Sequence, residues 1–414
     1  MEEPVSNLRF SVATNFDNEL PALLAQYNAV ELFGKLARDT VGGGRASYML
    51  APVSKRKVEE HVQSARQQGL AFDYLINAAC LGNREFTAPF QRDLRRLLDW
   101  LSEIGVEWVT VSVPLLLEIV KANYPNMKVK VGVYAQVDSL TRARFWEDLG
   151  ADCLTIEPNT VNRDFPRLRA IRESVKCELR LLANATCLKE CPLSPYHMVG
   201  LSHASQSCGE RFMIDYCLLT CTALKLAQPV NYLMSPWIRP EDLHIYEAMG
   251  YSVFKILERD APTETLVNRT RAYSQRRFDG NLIDLIQPYG YKESRSNTQP
   301  RRRFLWDFRA FLRPAKANPI RLLRWKELAK MRGMMYQSEH NDPLYIDNRA
   351  LDGFLEGLMN RDCANRNCAD CRYCHQIAQD IVRIDPAYQS RCLELANGLL
   401  NDMRSGAMWG IRNT

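Results

Sequence analysis

The sequence predicts an α/β protein built on a TIM-type (β/α)8 barrel. Between residues 8 and 278, short apolar runs alternate with amphipathic stretches, and the runs number eight. The runs are rich in Val, Ile and Leu without polar alternation, which is typical of parallel strands buried on both faces. Eight βα units in about 270 residues favour a closed barrel over the competing doubly wound sheet. No GxGxxG fingerprint follows the first run, which disfavours a dinucleotide-binding Rossmann site.

The predicted elements follow one another in alternation along residues 8–278. In the helical stretches apolar residues recur three and four positions apart, as on a helix with one buried face. Val230–Met234 is a candidate for an additional strand. The predicted strands are Leu8–Ala13, Ala29–Phe33, Phe72–Asn77, Trp108–Ser112, Val129–Tyr134, Cys153–Glu157, Leu179–Asn184 and Tyr251–Leu257, and the predicted helices include Arg56–Gln68, Arg92–Ile104, Ser139–Leu149 and Phe165–Val175.

Beyond the barrel, the composition changes twice, so we assign three domains. Residues 1–280 form the barrel, residues 281–340 a basic linker or arm, and residues 341–414 a small helical domain. The stretch from Lys292 to Arg332 carries 13 basic and 3 acidic residues, whereas the whole chain has a net charge of +6. Arg295–Arg332 could therefore contact RNA, with its aromatic residues stacking on bases. The alternative, which the dense and helically spaced aromatic residues favour, is an amphipathic arm that packs on the barrel.

Most of the thirteen cysteines fall into two groups, and their spacing predicts metal sites. The C-terminal cysteine group has the spacing C-x4-C-x2-C-x2-C, which places three thiolates on one tight loop. That arrangement suits a 4Fe–4S cluster with a fourth cysteine from elsewhere, whereas zinc usually takes two separated pairs. The members of this group are Cys363, Cys368, Cys371 and Cys374.

The central cysteine group begins just after the seventh predicted strand, at the barrel face where such enzymes place their chemistry. Two C-x3-C pairs could close a four-thiolate site for a cluster, or for a structural zinc ion. Cys208 is a spare or replaces one of the four. A radical-SAM site is disfavoured because Ser194 and Leu224 occupy the positions where a third cysteine would follow each pair. The members of this group are Cys187, Cys191, Cys208, Cys217 and Cys221.

The chain as a whole is predicted to be cytoplasmic. Its first residues, Met1 to Pro4, are acidic and lack the apolar core of a signal peptide. No apolar run approaches the roughly 20 residues of a membrane span. In a reducing compartment clustered cysteines are more often metal ligands or catalysts than disulfides.

Several polar residues are candidates for catalysis. Glu31 and Glu157 follow apolar runs, where a carboxylate with a raised pKa could act as a general acid or base. The alternative is an ion pair at the barrel rim, to Arg45 or Arg259. The glycines that precede Arg45 could, with its guanidinium, grip a carboxylate or phosphate. His197 lies in the cysteine-rich loop, where it could donate a proton, ligate iron or only order the loop.

Residues 8–278 resemble the family known as U32 peptidases, over about two-thirds of the chain. The motifs that carry the resemblance are Val30–Gly34, Gly42–Ser47, the loop from Cys187 to His197, Ser235–Asp242 and Phe254–Arg259. The family includes members that hydroxylate ubiquinone precursors without oxygen, and others that hydroxylate tRNA or ribosomal RNA. Those relatives hold a 4Fe–4S cluster through four cysteines late in the barrel, and some work as pairs of subunits. The resemblance thus implies that the central group supplies cluster ligands here. The C-terminal group, absent from many relatives, suggests an added cluster for electron delivery.

The sequence therefore predicts an iron–sulfur enzyme with one or two 4Fe–4S clusters. We expect an oxygen-independent redox modification, most simply hydroxylation, of a small aromatic or metabolite substrate. The expected partners are an electron donor such as ferredoxin or flavodoxin and a paired U32-like subunit. The alternatives are a tRNA or rRNA hydroxylase and a non-catalytic, zinc-stapled RNA-binding or assembly protein. Peptidase activity is disfavoured, because no GxSxG or HExxH motif is present and the cysteines are clustered.

Overall fold

The computed structural model describes residues 7–208, 213–288, 317–331, 342–363 and 367–411. The chain divides into two compact units. The barrel unit consists of Met1–Ala185, Met198–Glu210 and Pro236–Phe278, and the cysteine unit of Thr186–His197, Arg211–Ser235 and Asp279–Thr414.

This division differs from the three predicted domains. Two segments that we assigned to the barrel, 186–197 and 211–235, belong with the C-terminal residues instead. Most of the predicted basic arm, 289–316 and Arg332, lies outside the described residues.

The barrel unit confirms the predicted fold class. Eight parallel strands pair in chain order, and the first strand also pairs with the eighth to close the barrel. The strands are β1 (Arg9–Ala13), β2 (Ala29–Gly34), β3 (Ala71–Ile76), β4 (Trp108–Val111), β5 (Lys128–Val131), β6 (Cys153–Thr155), β7 (Glu178–Leu182) and β8 (Val253–Ile256).

Eighteen α-helices are present in the described part of the chain. They are α1 (Leu20–Leu24), α2 (Lys55–Gln67), α3 (Ala88–Glu103), α4 (Pro114–Asn123), α5 (Leu140–Asp148), α6 (Pro158–Val161), α7 (Phe165–Ser174), α8 (Ser194–Ala204), α9 (Tyr216–Ala227), α10 (Val230–Met234), α11 (Leu243–Glu247), α12 (Thr263–Ser274), α13 (Leu282–Ile286), α14 (Pro319–Lys330), α15 (Phe354–Met359), α16 (Cys368–Cys371), α17 (Tyr373–Ile381) and α18 (Pro386–Arg404). Two short antiparallel strands, β9 (Leu344–Ile346) and β10 (Val382–Ile384), lie in the cysteine unit.

Short polar caps start several of these helices. The side chain of Ser54 accepts a hydrogen bond from the backbone N–H of Lys57 at the start of α2. Ser139 does the same for α5, and Asp164 for α7. Such caps satisfy backbone donors that have no partner within the helix.

The barrel interior holds a charged network as well as apolar side chains. Arg180 is 1 % exposed, and its Nη1 lies 3.3 Å from Glu31 Oε1 and 3.4 Å from Asp73 Oδ2. Lys130 pairs with the other carboxylate oxygen of Glu31, and Thr110 Oγ1 lies 2.7 Å from both oxygens of Asp73. Buried charges of opposite sign that are also hydrogen-bonded compensate much of one another's desolvation.

The core of the cysteine unit is formed by helices that are distant in sequence. Helix α18 packs against both α9 and α14. The buried residues of this core are Leu219, Ala223, Leu226, Ala317, Leu322, Leu328, Cys392, Leu395, Ala396, Leu399, Leu400 and Met408. The described part of the basic arm, α14, is therefore a packed element of this unit.

At the level of single elements, one prediction is corrected and one is consistent with the structure. The candidate strand Val230–Met234 is a helix, α10, which begins directly after Pro229. Among the described residues, no helix is both long and apolar enough to cross a bilayer.

Candidate functional site

The carboxyl ends of β2 and β3 carry a buried charge cluster that the sequence analysis missed. Lys35, just after β2, places its Nζ 2.8 Å from Asp39 Oδ2, and Tyr74 donates its hydroxyl to the same oxygen at 3.0 Å. The other oxygen of Asp39 accepts the backbone N–H groups of Val41 and Gly42, at 3.0 and 2.6 Å. Asp39 thereby fixes the start of the glycine loop, 42–44. Burial lowers the pKa of Lys35, and the charge of Asp39 opposes that shift.

The glycine loop fits closely between neighbouring elements of the barrel unit. Gly42 has a φ of +83°, which favours glycine. The N–H of Gly43 donates to Ser205 Oγ at 2.7 Å. A Cβ on Gly43 would lie 2.7 Å from Asn77 Oδ1, whereas a Cβ on Gly44 would meet Tyr134 Oη at an ordinary 3.4 Å. The loop therefore needs glycine at Gly43 for space as well as at Gly42 for conformation.

The structure brings Arg45 and Arg259 together at the end of β8. Arg45 forms an ion pair with Glu258, and Glu258 has a φ of +101°, an unfavourable conformation for a non-glycine residue. Burial, and next the charge of Arg45, lower the pKa of Arg259 to about 10. Arg45 is thus paired as expected for the barrel rim, but with Glu258 and not with Glu31 or Glu157.

Three buried polar atoms near the glycine loop lack a hydrogen-bond partner. Within the described ranges these atoms are Arg259 Nη1, Asn77 Oδ1 and Ser112 Oγ. The three residues are only 7–8 % exposed. Gly132 adjoins both Asn77 and Ser112, since a Cβ there would lie 3.4 Å from Asn77 Cβ and 3.1 Å from Ser112 Oγ. Because buried polar groups are normally paired, these atoms form a candidate binding surface for polar groups of a ligand.

Glu31 lies inside the barrel and not at a strand end. It is the third residue of β2, and its carboxylate pairs with Lys130 and Arg180 and accepts the Ser11 hydroxyl at 2.6 Å. The expected alternative, an ion pair, is thus present with different cations. A catalytic role for Glu31 stays a prediction.

Glu157 caps a helix. Its two carboxylate oxygens accept the backbone N–H groups of Asn159 at 3.0 Å and Thr160 at 2.8 Å, at the start of α6. The hydroxyl of Thr160 donates to it as well, at 2.7 Å. General acid or base chemistry by Glu157 stays a prediction.

His197 is connected to the helix that carries two cysteines. In the cysteine unit its Nε2 lies 3.0 Å from Asp215 Oδ2, and Asp215 accepts the N–H of Leu218 as the N-cap of α9. Cys217 and Cys221 follow on that helix, four residues apart and so on one face. His197 therefore helps to order the start of α9.

Four of the five central cysteines belong to the cysteine unit. Cys187, Cys191, Cys217 and Cys221 fall within it, whereas Cys208 falls in the barrel unit and is exposed. Burial raises the pKa of Cys217 to about 12, and the charges of Asp215 and Cys191 add to this rise. Both C-x3-C pairs therefore lie in one unit, and Cys208 lies outside it.

A buried lysine lies beside three of these four thiols. Lys225 follows Cys221 by one helical turn on α9, is 1 % exposed and donates to the carbonyl of Thr186. Burial lowers its pKa, while the charges of Cys221, Cys187 and Cys191 oppose the shift. The ammonium thus lies close enough to these cysteines to compensate negative charge on the group. Its spacing of four residues from Cys221 was the sequence signal that could have identified it.

The C-terminal cysteine group lines a single pocket of the cysteine unit. Arg372, in the left-handed conformation at φ +52°, separates α16 from α17 and reverses the chain between Cys371 and Cys374. Tyr373 stacks on Phe354, with ring centroids 5.8 Å apart. The pocket is lined by Met234, Leu358, Arg361, Asp362, Cys363, Cys368, Cys371, Arg372, Tyr373, Cys374 and His375.

The donor sets of both groups fit a 4Fe–4S cluster in number and chemistry. Each offers four thiols within one compact unit, which is the ligand set such clusters use. In the described ranges, no three His, Cys, Asp or Glu side chains are already close enough to hold a metal ion. Lys225 beside one group and Arg361 and Arg372 around the other supply the positive charge that an anionic cluster needs.

Comparisons with known proteins found a curated sequence relative and solved structures of low sequence identity. The chain is 29 % identical over 344 residues to the uncharacterized protease MJ1657 of Methanocaldococcus jannaschii, covering 83 % of this chain and 86 % of that protein. The solved U32 peptidase Mk0906 is 23 % identical over 62 % of this chain and 94 % of that one, with a TM-score of 0.46. Phosphoribosyl anthranilate isomerase from Thermus thermophilus is 12 % identical over 65 % of this chain and 98 % of that one, with a TM-score of 0.35.

The family assignment rests on the sequence match. The sequence profile described as "Peptidase family U32" matches residues 45–281, which is more than half of the 414 residues. This range includes Arg45, the whole central cysteine group and Arg259. The chain belongs to peptidase family U32.

Proposed function

We propose that the chain is an iron–sulfur enzyme that performs an oxygen-independent redox modification of a small aromatic or metabolite substrate, most simply a hydroxylation. The observation that carries the proposal is the collection of eight thiols, as two groups of four, in one compact unit, with buried Lys225 beside the central group. Eight clustered thiols beside cations suit redox-active clusters better than a single nucleophilic cysteine.

Each cysteine group has a defined part in this proposal. Cys187, Cys191, Cys217 and Cys221 are the ligands of the first cluster, and His197 orders the helix that carries two of them. Cys363, Cys368, Cys371 and Cys374 are the ligands of the second. A bound cluster would supply a one-electron redox centre or a Lewis acid.

The barrel unit contributes the binding of the substrate. Arg259 Nη1, Asn77 Oδ1 and Ser112 Oγ offer one donor, one acceptor and one group that can do either. A small molecule with hydroxyl, carbonyl or carboxylate groups would satisfy them. Asp39 holds the glycine loop beside Asn77 through Gly42.

The electron balance of the proposed hydroxylation determines which kind of partner is required. Hydroxylation of a C–H bond with the oxygen atom of water yields the alcohol, two protons and two electrons. An electron carrier of the ferredoxin or flavodoxin class must accept these electrons, so the partner of a hydroxylation is an electron acceptor and not the electron donor expected from the sequence.

RNA as the substrate draws no support from the described part of the basic arm. In α14, Arg321 and Arg324 both pair with Asp402, at 3.0 and 2.8 Å. These two cations are already engaged within the cysteine unit. The small-molecule proposal is therefore preferred.

The deciding experiment is metal analysis of protein purified without oxygen. The wild type is expected to contain about eight iron and eight acid-labile sulfide atoms per chain, as two four-iron clusters require. Cys221→Ser should lose about half of both, because it removes a ligand of the first cluster only. Cys208→Ser is the matched control and should retain all of the iron.

Two results would contradict the proposal. Zinc without iron in the wild type would make both groups structural sites and remove the redox function. A loss of iron in Cys208→Ser equal to that in Cys221→Ser would show that the ligand assignment is wrong.

A further inference from the structure

One lysine side chain joins the two cysteine groups. Lys189 lies in the chain between Cys187 and Cys191, in the loop of the first group. Its Nζ donates to the carbonyl oxygen of Cys363 at 2.8 Å and lies 4.0 Å from Cys368 Sγ. All of these residues belong to the cysteine unit. The loop 187–191 and the C-terminal group are therefore separated by no more than the length of a lysine side chain.

The ammonium of Lys189 is held in place from the other side by a carboxylate. Glu190 Oε1 lies 3.2 Å from Lys189 Nζ, and Glu190 adopts a left-handed backbone conformation, at φ +48°. The ammonium of Lys189 therefore contacts both the carboxylate of Glu190 and the C-terminal group.

A charge in this place acts on any cluster held by the C-terminal group. A reduced cluster has one more negative charge than the oxidised one, so a nearby cation stabilises the reduced form more. Hydrogen bonds and charges near the sulfur atoms are recognised determinants of cluster potentials. The carboxylate of Glu190 acts on the same cluster with the opposite sign.

We propose that Lys189 is a positioning residue that holds the C-terminal cysteine group against the loop 187–191 and raises the reduction potential of the cluster bound there. The inference rests on the proposed function, because it requires both groups to bind clusters. Clusters held by the two groups would exchange one electron with each other, with no change in bonds or protons. The electron carrier named above exchanges electrons with the pair.

The test is a redox titration of the anaerobically purified full-length protein, followed by electron paramagnetic resonance. Lys189→Gln is expected to lower the midpoint potential of the C-terminal cluster and to change that of the first cluster much less. Lys189→Arg should restore a potential close to that of the wild type. Glu190→Gln should raise the potential, because it removes the opposing negative charge and keeps the shape of the side chain.

Lys189→Gln and Glu190→Gln are expected to shift the midpoint potential in opposite directions. This difference distinguishes an electrostatic effect from structural damage. A general loosening of the loop would move Lys189→Gln and Glu190→Gln in the same direction, and that result would overturn the inference. An unchanged potential in Lys189→Gln with full iron content would overturn it too. If Lys189→Gln loses the C-terminal cluster, the potential of Glu190→Gln still tests the inference, because it is expected to rise while that of Lys189→Arg stays close to the wild type.

Proximity of the clusters gives an independent readout. When both are reduced, two neighbouring paramagnetic clusters broaden each other's resonance lines, and the wild type is expected to show this broadening. Lines that stay independent would overturn the inference while leaving the proposed function intact. A wild type without iron would instead contradict the proposed function itself.

Discussion

At the residue scale, the least predictable features are charges buried in the barrel unit. Lys35, Asp39 and Arg180 are each at most 7 % exposed, yet nothing in their local sequence distinguishes them from surface residues. Lys35 and Asp39 pair with each other four residues apart, whereas the partners of Arg180 lie far along the chain, such as Glu31. The candidate glutamates were identified by their position after apolar runs. The residues with which they form ion pairs or cap a helix could not be predicted in this way.

His61 supplies a residue-scale prediction of pH dependence. The side chain is fully buried on α2, and its Nε2 is hydrogen-bonded to Thr14 Oγ1 at 2.7 Å. Burial, and next the charge of Lys57, lower the pKa of His61 from 6.5 to about 4. The unfolded chain therefore binds a proton at a higher pH than the folded chain does, and stability falls as the pH falls from 6.5 to 4.

The expected loss is about 3 kcal/mol of unfolding free energy, at about 1.4 kcal/mol per pKa unit. Urea denaturation of the wild type at a series of pH values measures it. His61→Gln should show a much flatter profile in this range, since it has no group that titrates. His244→Gln, at an exposed histidine, should keep the wild-type profile. If His61→Gln retained the full pH dependence, burial of a neutral His61 would not be its cause.

At the element scale, the sequence predicted all eight barrel strands, but most of them too long at their carboxyl ends. The predicted strands that ended at Asn77, Ser112 and Asn184 end in the structure at Ile76, Val111 and Leu182. The residues just beyond these strands are still buried, so their apolar surroundings resemble those of a strand. At the carboxyl ends of these strands, residues therefore remain buried beyond the last backbone hydrogen bond of the sheet.

The misassigned element, Val230–Met234, shows a different limit. A short apolar run satisfies the pattern of a buried strand and of a buried helix equally well. Pro229, with its fixed φ, precedes α10 directly. Pro229 was therefore the better indicator of a helix at this position, and tertiary packing determined that the helix forms.

The glycine loop supplies an element-scale prediction. Gly43→Ala should destabilise the protein by about 1–3 kcal/mol, as overpacking does, because the new Cβ would lie 2.7 Å from Asn77 Oδ1. The Asn77 side chain would have to move from its place in the candidate binding surface. Urea denaturation measures the change in unfolding free energy.

The neighbouring glycine provides the matched control. Gly44→Ala places its Cβ at an ordinary 3.4 Å from Tyr134 Oη, and neither Gly43 nor Gly44 has a positive φ. We expect Gly44→Ala to change the stability by no more than about 0.5 kcal/mol. Equal effects of the two substitutions would mean that general loop rigidity, and not the contact with Asn77, determines the stability.

At the scale of the whole molecule, the cysteine unit could not be recognised from the sequence. It is assembled from three separate segments, and its core joins α9 to α18, which begin 170 residues apart. The sequence did reveal both cysteine groups, because their spacing is local. It did not reveal that both groups share one unit, since that depends on long-range packing of apolar residues such as Leu219 and Leu395.

With the proposed clusters bound, this organisation predicts that removing them will loosen one unit selectively. Metal ligation contributes folding free energy to the segments that supply the ligands. Treating the anaerobically purified protein with an oxidant and a chelator should therefore speed amide hydrogen exchange in 186–197, 213–235 and 367–385. We expect increases on the order of 10-fold or more, which correspond to about 1.4 kcal/mol of local stability. Hydrogen exchange with mass spectrometry measures this segment by segment.

The strands of the barrel provide the internal reference for that experiment. β1 to β8 form a closed ladder and contain none of the proposed ligands, so their exchange should stay unchanged. In Cys221→Ser, which is expected to lack the first cluster, iron removal should add little further exchange in 213–235 but should still loosen 367–385. Uniform acceleration across β1 to β8 would show that the barrel depends on the clusters as well. The two units would then unfold as one cooperative structure, and the selective effect argued from their separate cores would be wrong.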